Sequence, residues 1–334
     1  MRRYSTREMG ALKMLGFQIP NFTFPGVERV ELFEHIAMLA NTAERARFDS
    51  VFVMDHFYQL PNIGPRTDPM LEGYAVLSGL AARTKTVRLG TLVTGVTYRN
   101  PAFLAKEATT LDIISSGRAI LGIGAAWNED EHRGYGYEFP PVGERLSRLE
   151  EALQICRAMF REEAPSFQGR FYRIEAALNS PRPIQPNGPP IMVGGGGEQR
   201  TLKLVAQYAD MCNIFGDPAM VRHKMDVLER HCEAVGRDPK TILKTRLGSL
   251  IVRETDAQAD RALEQILNRP GVNKDWVRGG FIAGGPDKVT EEVIRLLDAG
   301  LDGVIFNMPH MESPEFIELA GKTLAGQLHA AVAR

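Results

Sequence analysis

Eight short apolar runs, each followed by a stretch of helical period, leave this chain few ways to fold. The runs lie at 14–20, 50–55, 87–94, 118–124, 190–194, 210–215, 244–252 and 302–307. The helical stretches lie at about 29–46, 70–84, 101–116, 144–162, 198–208, 217–235, 256–268 with 286–299, and 313–332. Apolar runs of this length read as strands buried on both faces, as in a parallel sheet. Eight such strands, joined by right-handed helical crossovers, close into a (β/α)8 TIM barrel. A chain of 334 residues is long enough for two domains, but barrels of this kind often exceed about 250 residues as one unit. The expected organisation is a mobile tail over 1–13 and one barrel over 14–332, with insertions near 125–143, 163–189 and 269–285. Long loops in compact domains are commonly functional, so these three are candidates for covering a substrate.

Local signals support the alternation. Asn100 suits a helix cap and Pro101 the first helical position, and Phe103, Leu104, Leu111 and Ile114 are expected on one buried face. Gly117 can then close the helix before the next strand. Net charge is −1, with 44% apolar and 24% charged residues, ordinary values for a globular protein. Scattered Lys and Arg argue against a nucleic-acid partner. No window approaches the roughly 18 apolar residues of a membrane helix, and no secretory core opens the chain. A cytoplasmic protein is expected. Cys156, Cys212 and Cys232 are odd in number and lack metal-ligand spacing, which fits reduced buried thiols.

Candidate chemistry clusters at strand ends. The second run ends in Asp55 and His56, at the barrel edge where active sites sit. An imidazole there can exchange protons near neutral pH, with Asp55 expected to hold it. The third run ends in Thr94, Gly95 and Val96, where glycine suggests a bulge or a close approach to something flat, or simply an ordinary turn. After the fourth run, Gly122, Gly124 and Ala125 are small, Trp127 offers an aromatic wall, and Asn128 offers an amide. Glu129, Asp130, Glu131 and His132 follow and read as a solvated cluster at a helix start rather than metal ligands, so no metal is expected. The fifth run feeds Gly194, Gly195, Gly196 and Gly197 into a helix with Arg200 one turn in. These amides either converge on an anion or close a tight βα turn. The spacing is neither a dinucleotide fingerprint nor a P-loop. Tyr58, Trp127 and Tyr135 are candidate walls of a substrate pocket. No nucleophile elbow or zinc motif accompanies them. The set suits a planar phosphorylated cofactor that supplies the chemistry itself.

The order of these motifs resembles the luciferase-like monooxygenase superfamily of flavin and deazaflavin oxidoreductases over residues 13 to 330. The resemblance is carried by the segment 50–57, by Arg99-Asn100-Pro101 with Leu104-Ala105-Lys106, by 111–118, by Gly122-Ile123-Gly124 and by 190–197. The segments 54–61 and 16–20 are similar to the branch that uses the deazaflavin coenzyme F420. The resemblance implies hydride transfer between F420 and a small organic substrate, with FMN and oxygen as the alternative chemistry and a non-catalytic flavin-binding barrel as another. It implies His56 beside the ring system, a cis peptide at Gly95–Val96 supporting it, Asn128 as a ring or tail contact, and phosphate at Gly194 to Gly197. It further implies a homodimer and a flavin or F420 reductase partner. Relatives commonly carry glycine where this chain has Ala126.

Overall fold

The computed structural model describes residues 12–268, 274, 279–309 and 313–328. Eight parallel strands close on themselves: β1 (Met14–Ile19), β2 (Ser50–Val53), β3 (Arg88–Thr91), β5 (Ala119–Gly124), β8 (Ile191–Gly194), β9 (Met211–Ile214), β10 (Leu243–Val252) and β12 (Gly303–Asn307). Closure is made where Met14 to Phe17 pair with Gly303 to Phe306. The helices wrapped around them are α1 (Leu32–Arg45), α2 (Gly73–Arg83), α3 (Pro101–Ile114), α4 (Glu129–Tyr135), α5 (Val142–Arg161), α6 (Thr201–Tyr208), α7 (Pro218–Ala234), α8 (Asp256–Leu267), α9 (Pro286–Asp298) and α10 (Pro314–Leu328). The expected (β/α)8 barrel is therefore present.

Alternation along the strands sorts the side chains. Met14, Phe52, Leu92, Ile120, Met192, Met211 and Ile305 meet inside the barrel, with Leu243 and Leu247 packed against them. Toward the carboxyl ends polar groups pair across neighbouring strands. Asn213 Nδ2 donates to Thr245 Oγ1 at 3.0 Å and Ser249 Oγ to Asn307 Oδ1 at 2.6 Å. The outer faces carry the larger core, which packs against the helices. All three cysteines are buried, and among the described residues no helix is long and apolar enough to cross a membrane.

In α3, Asn100 caps by accepting from the Ala102 amide at 2.9 Å, and Pro101 starts the helix. Leu104, Ala105, Ala108 and Leu111 form its buried face, whereas Phe103 and Ile114 are exposed. The expected shared stripe fails because consecutive helical residues are about 100° apart, which turns Phe103 away from Leu104. Gly117 closes the end at φ +86°.

The insertions are structured. Residues 125–143 hold α4, and 163–189 hold an antiparallel pair, β6 (Phe167–Gln168) with β7 (Arg173–Ile174). In 269–285, residues 269–273 and 275–278 lie outside the described residues. Phe281–Gly284 forms β11, which pairs with Ser249 to Val252 of β10. Its apolar run is only four residues and glycines flank it, so the sequence pattern does not set it apart from the expected loop. Of the expected tail, residues 1–11 lie outside the described residues. Leu12 is buried, and Lys13 pairs with Asp302 at 2.8 Å.

One contact limits what β5 tolerates. A methyl group added at Gly122 would stand 2.0 Å from the Thr91 carbonyl oxygen, so β3 and β5 can approach only with glycine there. Gly122→Ala is expected to lower stability by about 1–3 kcal/mol, the usual cost of overpacking. An unchanged urea midpoint would contradict it.

Candidate active site

Beyond β2 the chain continues through Met54, Asp55 and His56. Asp55 is almost fully buried and accepts two bonds from the Arg99 guanidinium, at 2.6 and 3.1 Å. His56 turns elsewhere, its Nδ1 lying 2.8 Å from Glu131 Oε2. The expectation that Asp55 holds His56 is therefore corrected: Glu131 does so. Adjacent side chains on an extended segment point to opposite sides and cannot converge on each other.

Glu131 comes from α4 and is fully buried. Its Oε1 accepts the amides of Phe57 at 2.6 Å and Tyr58 at 2.9 Å, and its Oε2 accepts the Tyr98 hydroxyl at 2.9 Å. Burial raises a carboxyl pKa, but the His56 contact and these donors together hold Glu131 below the ordinary range. A carboxylate accepting from Nδ1 fixes the tautomer in which Nε2 carries the lone pair of the neutral ring. His132 is also buried, with Nδ1 2.7 Å from the Asn128 carbonyl oxygen and Nε2 2.6 Å from Thr97 Oγ1. The stretch read as a solvated cluster is thus divided: Glu129 faces out, while Glu131 and His132 face in. The available signal was spacing, since positions three and four beyond Asn128 share its side of a helix.

Trp127 stands beside His56 with ring centroids 5.6 Å apart and is 62% exposed. Tyr135 stacks on Phe57 at 4.3 Å and lies 5.7 Å from Tyr58, whose ring carries the Arg66 guanidinium at 4.0 Å. The three expected pocket residues therefore lie around the 56–58 segment. Asn128 is half-buried and precedes α4, its side chain making no cap bond. Ala126 sits at φ +59°, a backbone region that favours glycine. Arg145 of α5 holds this turn by donating to the carbonyls of Ala125 and Ala126.

The third strand does not run to residue 94. It stops at Thr91, a cis peptide joins Leu92 to Val93, and the chain rejoins the sheet as β4 (Thr94–Gly95) beside Ile123 and Gly124. The cis bond expected at Gly95–Val96 is therefore misplaced, because Gly95 is already paired with β5. Thr94 and Val96 are buried as well. Thr94 Oγ1 lies 2.8 Å from Thr91 Oγ1 and 3.2 Å from the Tyr74 hydroxyl. Val93 is the residue the kink presents to the mouth. Methyl groups added at Gly124 and Gly194 would meet it at 2.9 and 2.8 Å. Valine on two glycines leaves a smooth floor, which suits a flat ring system.

After β8 the four glycines run into a turn, and α6 starts at Thr201 rather than 198. Gly195 sits at φ +123° and its amide is taken by the Asn213 carbonyl at 2.9 Å. Gly196 is open: an added methyl would find only Lys224 Cε, at 3.7 Å. Glu198 binds Lys224 Nζ at 2.5 Å. Arg200, expected one turn into the helix, precedes it and donates to Gly143 O and Ser147 Oγ of α5 at 2.7 and 3.0 Å.

Arg99 collects three carboxylates: Asp55, Glu72 at 2.5 Å and Glu107 at 3.0 Å. Burial pushes Glu107 up to about 7 against the pull of Arg99. Between its ordinary 4.5 and about 7 the folded chain keeps a proton that the unfolded chain has released. Stability from this group is therefore full below 4.5 and is lost as pH rises through about 7. Glu107→Gln is expected to flatten that decline. Urea midpoints measured across this range should drop less in the variant, and parallel pH slopes would refute the assignment.

The family model for luciferase-like monooxygenases matches residues 14–288. An F420-dependent glucose-6-phosphate dehydrogenase of Nocardia farcinica is 31% identical, over 96% of this chain and 99% of that protein. A phthiodiolone/phenolphthiodiolone dimycocerosates ketoreductase of a Mycobacterium species (strain JLS) is 29% identical, over 75% of this chain and 68% of its own length. Among solved structures, an F420-dependent secondary alcohol dehydrogenase in complex with an F420-acetone adduct superposes with a TM-score of 0.78. That match has 21% identity, over 93% of this chain and 98% of that one.

Proposed function

Because this chain belongs to the luciferase-like monooxygenase family, we propose that it is an F420-dependent oxidoreductase moving a hydride between the deazaflavin and a small organic substrate. The observation that carries the reading is His56 just beyond the carboxyl end of β2, its Nδ1 held by the buried Glu131, at the same end of the barrel as Val93 over Gly124 and Gly194. The glycines under Val93 let it lie low and apolar, which suits a planar tricycle, and the open turn at Gly196 suits the anionic part of the coenzyme. Arg200 is committed to α5 and is not assigned to it. When bound, the coenzyme supplies hydride acceptance or donation at its ring.

The names of the relatives point to a substrate carbon bearing a hydroxyl or a carbonyl. In the oxidative direction His56 Nε2 takes the hydroxyl proton while the carbon gives up its hydride and the C=O bond forms. In reduction the same nitrogen returns the proton. Glu131 orients the ring through Nδ1. Trp127, Tyr58 and Tyr135 wall off the substrate, and Asn128 lies within the same turn as a further contact. The proposal extends to a cytoplasmic homodimer. Phe103 and Ile114, exposed on α3, are apolar residues such a pairing would cover, and sedimentation equilibrium reads the subunit number.

Fluorescence titration of the purified protein with F420 and, separately, with FMN tests the cofactor. F420 is expected to bind at least about tenfold tighter, a difference of roughly 1.4 kcal/mol. Tighter binding of FMN would overturn the reading in favour of oxygen-using flavin chemistry.

A further inference from the structure

Tyr98 and Arg99 are neighbours in sequence, in the loop between β4 and α3, and their side chains reach the two sides of the Asp55–His56 dipeptide. Tyr98 donates to Glu131 Oε2 at 2.9 Å, the same oxygen that meets His56 Nδ1 at 2.8 Å. Arg99 takes Asp55 in a two-bond grip at 2.6 and 3.1 Å. We propose that Arg99 is a positioning residue that, with Tyr98, brackets the Asp55–His56 strand end and sets where the imidazole stands.

The geometry supports this beyond a single ion pair. Arg99 is itself anchored by Glu72, at the start of α2, and by Glu107 of α3, and it lies 4.9 Å from the Tyr74 ring centroid. Three side chains from two helices, α2 and α3, thus fix the guanidinium before it fixes Asp55. A planar fork can serve three carboxylates at once, which the single ammonium of lysine cannot do with the same geometry. The backbone between Asp55 and His56 has no slack, so loss of the grip on Asp55 shifts the residue that follows it. Displacement of a reacting group by about 1 Å can reduce turnover by roughly a hundredfold.

This inference rests on the proposed role of His56 in proton transfer, but one of its readouts does not need the coenzyme. The histidine-selective 1H–15N spectrum, with the His56 signal assigned by its loss in His56→Gln, reports the Nδ1 proton shared with Glu131. Arg99→Met is expected to displace or broaden that signal. It should also lower kcat with F420 by about ten- to a hundredfold while KM stays within about threefold. Arg99→Lys should recover part of both effects. Val289→Ala, in the core under α9 and far in sequence from the site, serves as a variant with a comparable loss of Tm. It is expected to keep the His56 signal. If Arg99→Met does not fold, Arg99→Lys and Asp55→Asn carry the same readouts. A folded Arg99 or Asp55 variant whose His56 signal and kcat match those of Val289→Ala would reduce Arg99 to a structural ion pair and overturn the proposal. Failure of F420 to bind wild-type protein would instead strike the functional reading and leave the spectral test of the bracket intact.

Discussion

His56→Ala is expected to lower kcat by about 10²–10⁴-fold, the usual contribution of a positioned general acid or base, with F420 affinity changed only a few-fold. The argument is geometric. Nδ1 is occupied by Glu131, so Nε2 is the nitrogen available at the barrel mouth, and the neighbouring Asp55 is fully engaged by Arg99. Steady-state absorbance of F420 under anaerobic conditions gives kcat, and fluorescence titration gives binding. Undiminished turnover in the variant would remove His56 from the proton transfer, whatever its closeness to Trp127.

The second large effect falls on stability. Glu131→Ala leaves the amides of Phe57 and Tyr58, the Tyr98 hydroxyl and His56 Nδ1 without their acceptor. Breaking a buried, multiply bonded charge costs about 3–5 kcal/mol. The loss should appear as a lower urea midpoint at neutral pH. Glu131→Gln keeps one acceptor oxygen and should lose less. The gap also has a sign in pH. The folded pKa of Glu131 lies below its ordinary 4.5, so its contribution is complete above that value and disappears as pH falls through the lowered one. Wild type and Glu131→Ala should therefore converge in acid. A gap that persists or widens there would mean the carboxylate is not the stabilising species.

The barrel was legible because all eight barrel strands are short apolar runs and each is followed by a helical period, patterns set by burial on both faces. Boundaries failed where backbone events intervene without a compositional mark. Leu92–Val93 looks like ordinary strand yet breaks β3, and β11 is too short to separate from the loop around it. At the site, His56 was visible from its place at a strand end. Glu131 was not, because a run of acids at a helix start carries the same letters whether it meets water or a buried imidazole, and only the rotation of α4 decides. Arg99 escaped for a related reason: its three partners lie 44, 27 and 8 positions away in sequence, and no local pattern brings them together.

Trp127 differs from its neighbours in its exposure. His56, Glu131 and Tyr98 are tied to one another and Asp55 to Arg99, whereas the indole is largely solvent-facing and stands beside the imidazole at a steep angle. On the proposed reading, evolution can redraw what this enzyme accepts by rewriting position 127 while His56 and Glu131 stay in place, and a saturation library at that single codon is the natural starting point for laboratory retargeting.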